Sequence, residues 1–86
     1  MTYRIEIAKP AAKFIRSLPA PDKERMLRAI HKLPEEGDIK QMKGAKVKGL
    51  FRLRVGDYRV IYSVDNGKLV VFVVDAGNRG QIYKRY

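Results

Sequence analysis

The chain has 86 residues, no cysteine, 45% apolar residues and nineteen Lys+Arg against nine Asp+Glu, a net charge of +10. A length of this order admits one small core, burying about 60–65% of the unfolded surface, so a single domain over residues 1–86 is expected, and the lack of cysteine excludes disulfides and thiolate metal sites. No apolar run nears the roughly 20 residues that cross a bilayer, and Met1 to Ile7 alternates polar with apolar residues, unlike a secretory signal, so a cytoplasmic protein with no membrane contact is expected.

The first element is that alternation, which places Tyr3, Ile5 and Ile7 on one face of a strand. From Lys9 the spacing turns helical: Ala11, Phe14, Ile15 and Leu18 form one stripe, and Pro10 suits a first turn. Leu18-Pro19-Ala20-Pro21 breaks that helix. A second follows from about Pro21, with Asp22 and Glu24 in its first turn and Lys32 near its end, as the helix dipole favours; its buried stripe is Met26, Leu27, Ile30 and Leu33. Pro34 and Gly37 end it.

Residues 35–48 show no apolar period and carry Lys40, Lys43, Lys46 and Lys48 beside Gly44, which reads as a mobile basic loop. Three strands are expected next, over 49–55, 58–64 and 68–75, the last so continuously apolar that it should be central and covered on both faces. The expected architecture is therefore α+β: a two-helix hairpin packed on a mostly antiparallel four-stranded sheet in the order β-α-α-β-β-β.

Turn chemistry sets the register. Asn66-Gly67 suits a type I′ turn pairing Asp65 with Lys68, and Gly56-Asp57 a type II′ turn pairing Val55 with Tyr58. Phe51, Leu53, Val55, Tyr58, Val60, Tyr62, Val64, Leu69, Val71 and Val73 then share the helix-facing side, and Arg52, Arg54 and Arg59 gather on the other. A one-residue slip would destroy that sorting.

Charge follows the same division. Residues 1–39 hold eight basic and six acidic residues (+2), residues 40–86 eleven and three (+8). Like charges opposed across strands are destabilising, so three clustered arginines point to a bound polyanion, unless Asp57 or Asp75 neutralises them. His31, the only histidine, lies in the second helix beside Lys32, and the nine carboxylates form no ligand spacing, so neither metal nor cofactor is expected. RNA brings its own nucleophile, the 2′-hydroxyl. A protein cutting it must align that oxygen, stabilise the phosphorane with donors such as arginine, and move protons. In the tail, Arg79 and Tyr83 are four residues apart, neighbours on one helical turn. A phenol among cations has its pKa lowered toward service as a base, while an aromatic can equally stack on a nucleobase or dock on the sheet.

The segments Leu50-Phe51-Arg52-Leu53-Arg54-Val55-Gly56-Asp57-Tyr58-Arg59-Val60-Ile61-Tyr62 and Val73 to Tyr83, on this element order, resemble the RelE/ParE superfamily of toxins from prokaryotic toxin–antitoxin pairs. The resemblance, closest to the RelE branch, implies a metal-independent endoribonuclease that enters the ribosomal A site and cleaves mRNA by 2′-hydroxyl attack. It implies that Arg59 contacts the scissile phosphate, that Arg79 stabilises the transition state, that Tyr83 orients the base or assists proton transfer, and that Arg52 stands where the family often has lysine. Arg54, Lys43, Lys46, Lys48, Lys84 and Arg85 are the expected contacts to mRNA and 16S rRNA backbone. Leu50 departs from the pattern, since a second family lysine falls there; Arg52 stays protonated and is a poor base, leaving Tyr83 or Lys48. An acidic, helical antitoxin is the implied partner, with operator DNA reached only through it; the partly apolar Ile61, Val70, Phe72 and Val74 are a candidate antitoxin surface or the seat of the chain's own C-terminus. The alternatives are a ParE-like inhibitor of DNA gyrase and a weakly active toxin acting as co-repressor.

Overall fold

The computed structural model describes residues 3–42 and 49–78. Its elements are β1 (Arg4–Ile7), α1 (Lys9–Arg16), α2 (Ala20–His31), β2 (Asp38–Gln41), β3 (Phe51–Val55), β4 (Tyr58–Asp65) and β5 (Val70–Asn78). The strands form one sheet in the order β1-β5-β4-β3-β2. β1 runs parallel to β5 and the remaining pairs are antiparallel. None of the described helices is long and apolar enough to cross a membrane.

Both helices lie on one sheet face, as their stripes require. Ala11 and Ile15 of α1, and Met26 and Ile30 of α2, are buried against Leu53, Val55, Val60, Tyr62, Val71 and Val73. Each fully buried aliphatic side chain of this kind contributes about 1.5–3 kcal/mol. Pro10 occupies the first turn of α1, where a missing N–H costs nothing. The Ala8 N–H continues the β1 ladder by donating to Val73 O at 2.8 Å, which fixes where the chain leaves the sheet for α1.

Three sequence expectations are corrected. The sheet has five strands instead of four, because Asp38–Gln41, assigned to a mobile loop, pairs antiparallel with β3. Its single apolar residue, Ile39, sits opposite Leu53 and packs on the core. One inward residue is too little to register as a period, and short charged strands are typical of sheet edges. The Asn66-Gly67 turn is not a two-residue type I′ turn either. Asp65 pairs with Val70, leaving residues 66–69 as a four-residue connection. The Lys68 N–H donates to Asp65 Oδ1 at 3.0 Å, and Leu69 takes the left-handed conformation at φ 56°. An Asx-type bond therefore closes the turn in place of Asn-Gly geometry, and Leu69 leaves the strand face assigned to it. Finally, β5 is central but covered only on its helix side throughout; Phe72 on the other side is 40% exposed.

The Gly56-Asp57 turn does match its expectation. Val55 pairs with Tyr58, and Gly56 has φ +58° while Asp57 does not enter the positive region, the pattern of type II′. Register across β3 and β4 is therefore the one that segregates the arginines.

Candidate functional site

The face of the sheet opposite the helices carries the site. Arg54 stands opposite Arg59, and Arg52 opposite Ile61. Burial deepens across the group: Arg54 is exposed, the Arg52 side chain is 16% exposed, and Arg59 is 5% exposed. The partner of Arg59 on β5 is Gly77, which presents no side chain above it. One guanidinium nitrogen of Arg59, Nη1, donates to the carbonyls of Gly56 (3.2 Å) and Tyr58 (3.0 Å). Its Nε is buried and, among the described residues, meets no acceptor. An orphaned buried N–H costs about 1–3 kcal/mol, so this arginine is held in place at a cost.

Asp38, on the unexpected strand β2, supplies the carboxylate beside the patch. Its Oδ1 lies 3.7 Å from Arg52 Nη2, a loose pair between an exposed carboxylate and a largely buried arginine. Of the acids the sequence offered for that role, Asp57 sits in the exposed turn, whereas Asp75 is register partner to Ile61, itself partner to Arg52, and so lies buried on the arginine face, with its Oδ1 accepting the Ala76 N–H at 2.9 Å. Lys40 is register partner to Arg52 and so joins the same face. Lys40, Arg52, Arg54 and Arg59 against Asp38 and Asp75 leave a positive excess on this face. Lys40 and Asp38 were not candidates from sequence; the alternation about Ile39 after Gly37 was the available signal.

The sheet bends at the far end of this face. A β-bulge between Ile61 and Tyr62 sets Ile61 against Asp75 and Tyr62 against Val73, so that Val74 is the extra residue of β5. Bulges re-aim the residues that follow, here Asp75 to Asn78. Next to the bulge a small second core forms, with Leu50 (4% exposed) and Ile61 (0%) against Met42 and Val74. Leu50, where the resemblance expects lysine, is thus an integral apolar residue.

On the helix side, the Tyr58 hydroxyl donates to Asp22 Oδ2 at 2.8 Å, and its ring meets Phe14 edge-on at 5.8 Å. The phenol is held above its ordinary value, first by that hydrogen bond to a carboxylate, then by burial. Burial alone pushes Tyr62 up to about 12. Neither phenol is suited to act as a base at neutral pH.

Comparison with known proteins decides the family. The profile of the family described as the ParE toxin of the type II toxin–antitoxin system parDE matches residues 5–83. The chain belongs to this toxin family. A chain of the archaeal RelE–RelB complex from Pyrococcus horikoshii OT3 is 34% identical to this toxin, with 94% of this chain and 99% of that one covered and a TM-score of 0.74. The fold is shared, at lower identity, with the toxin–antitoxin complex RelBE2 from Mycobacterium tuberculosis (19% identity, 92% and 100% covered, TM-score 0.76). It is shared likewise with the isolated RelE toxin of E. coli (24% identity, 95% and 92% covered, TM-score 0.68). No curated relative matches the chain. The toxin is thus a RelE/ParE-superfamily member.

Of the residues singled out from sequence, the fold brings Arg52, Arg54 and Arg59 together on one face. Arg79, Tyr83, Lys43, Lys46, Lys48, Lys84 and Arg85 lie outside the described residues.

Proposed function

We propose that this toxin is a ribosome-dependent endoribonuclease that cleaves mRNA in the A site and so arrests translation. The observation that carries the reading is Arg59, its guanidinium held by two carbonyls on the sheet face that also gathers Arg52 and Arg54. Three cations graded from exposed to buried suit a ribose-phosphate backbone drawn inward until one phosphate meets the fixed guanidinium. The 2′-hydroxyl attacks the adjacent phosphorus, a 2′,3′-cyclic phosphate forms, and the 5′-oxygen leaves with a proton. Arg59 grips the scissile phosphate, Arg79 stabilises the phosphorane, Tyr83 orients the nucleobase and moves a proton, and Arg52 holds the flanking phosphate. Arg54, Lys43, Lys46, Lys48, Lys84 and Arg85 contact mRNA and 16S rRNA backbone. All of these steps use side chains of the chain itself, which we assign as one domain over residues 1–86 working in the cytoplasm. Full-length likeness to a chain of an archaeal RelE–RelB complex supports both the branch and an antitoxin partner.

A second reading has its own support. The matching family profile is that of ParE, and Leu50 is buried where a lysine base would stand. Under that reading the basic face engages DNA gyrase. Induction of the chain without antitoxin separates the two: cut mRNA on ribosomes for the first, gyrase-linked DNA breaks with intact mRNA for the second. If Arg79→Ala and Tyr83→Phe leave mRNA cleavage unchanged, the catalytic assignment is wrong.

A further inference from the structure

Arg59 is held by a turn, and the turn is held by a helix. Both acceptors of Arg59 Nη1 are carbonyls of the β3–β4 hairpin, at Gly56 and Tyr58. Their direction depends on a two-residue turn at the end of the sheet, where ladder bonds run out. From that turn the Tyr58 side chain crosses to the helix layer and donates to Asp22 Oδ2 at 2.8 Å. The other oxygen of Asp22 lies 3.5 Å from Arg25 Nη2. The Arg25 guanidinium in turn lies against Gly56, where an added Cβ would stand 3.1 Å from Nη2. Asp22 and Arg25 are successive-turn neighbours on α2, and Tyr58 and Gly56 flank Asp57, so the contacts close a loop between helix and hairpin. One side of the hairpin is pinned to α2, and the other presents its carbonyls to Arg59.

We infer that Tyr58 and Asp22 are positioning residues that, through the β3–β4 turn, fix the guanidinium of Arg59 for its anion. The inference rests on the proposed nuclease reading for what Arg59 does, but not for how Arg59 is held. Ion pairs such as Arg25–Asp22 on the surface contribute little alone. The Tyr58 bond differs in being partly buried, charge-assisted and spanning 36 residues of sequence. The raised phenol pKa keeps the proton that this bond needs well into alkaline solution.

The test is a double-mutant cycle in the full chain with programmed ribosomes. Tyr58→Phe removes one oxygen and keeps the ring against Phe14; Asp22→Asn keeps shape and removes the charge. Each should lower the single-turnover cleavage rate about 10–100-fold, the scale of a small misplacement of a reacting group, with half-saturation changed less than about twofold. On an Arg59→Ala background each should change the rate less than about twofold, because the group being positioned is gone. An equal loss in both backgrounds, or none in the wild-type background, overturns the inference. A wild type that cuts no mRNA overturns the nuclease reading instead. The positioning claim is then judged by hydrogen exchange at Arg59 Nε–H, followed by NMR. Exchange accelerated at least about 10-fold in Tyr58→Phe, as expected when a local closed state is loosened, supports it, and unchanged exchange overturns it.

Discussion

Replacing Leu50 by lysine would put the family's missing base back at its expected position, and the structure predicts damage instead of repair. Leu50 is 4% exposed and packs with Ile61, Met42 and Val74. Removing its buried surface costs about 2 kcal/mol. The lysine stem recovers about half of that by covering the same neighbours, but its ammonium must be desolvated or neutralised, at about 2 kcal/mol or more. The net loss is about 3 kcal/mol, which in a domain of this size lowers Tm by roughly 12–24 °C. The buried lysine binds its proton less tightly folded than unfolded. Its penalty should therefore shrink as pH rises from 7 toward the unfolded value near 10.4. Circular-dichroism melts at pH 7 and pH 9.5 check both magnitude and sign, with Leu50→Met, expected to cost less than about 1.5 kcal/mol, as control. A Leu50→Lys chain as stable as wild type and faster in cleavage would refute the reasoning, by showing that position 50 opens onto the site.

Gly56→Ala should cost about 1–2 kcal/mol in denaturant unfolding, since φ is +58° and the new methyl meets Arg25. Adding Arg25→Ala should recover only the contact share of that loss. Arg54→Ala should leave the melt within about 0.5 kcal/mol but lower the slope of log affinity for single-stranded RNA against log salt by about 0.7, because Arg54 is the exposed arginine of the face. An unchanged slope would place RNA elsewhere. Alkali should destabilise the fold: Tyr62 is raised to about 12 in the folded chain against about 10 unfolded. The unfolded chain therefore loses that proton first, and stability falls between those values by no more than about 2–3 kcal/mol. Unfolding free energies at pH 9 and pH 11 that agree would contradict the burial of this phenol.

Much of the fold was legible because period and turn chemistry agreed. The Gly56 turn with alternating Phe51–Val64 is enough to sort the arginines from the core. It failed where a single side chain held the information. Strand β2 has only Ile39 to mark its inner face, so Lys40 and Asp38 could not be placed beside Arg52. At Asn66-Gly67 a strong local signal lost to the Asp65 side chain, which closes a longer turn and displaces Leu69. The burial of Leu50 was equally invisible, since it depends on the bulge at Val74 and on Met42 from across the sheet edge. The Tyr58–Asp22 bond joins residues 36 apart, and no spacing rule reaches that far.

The central claim is that the Arg59 face cuts mRNA on the ribosome. Mapping mRNA 5′ ends genome-wide after inducing the wild-type chain and Arg59→Ala without antitoxin tests it most directly. New ends within ribosome-occupied codons are expected for the wild type, reduced at least about 10²-fold when the guanidinium is removed. Intact mRNA in cells arrested by gyrase-linked DNA breaks, or ends that persist undiminished in Arg59→Ala, would contradict it.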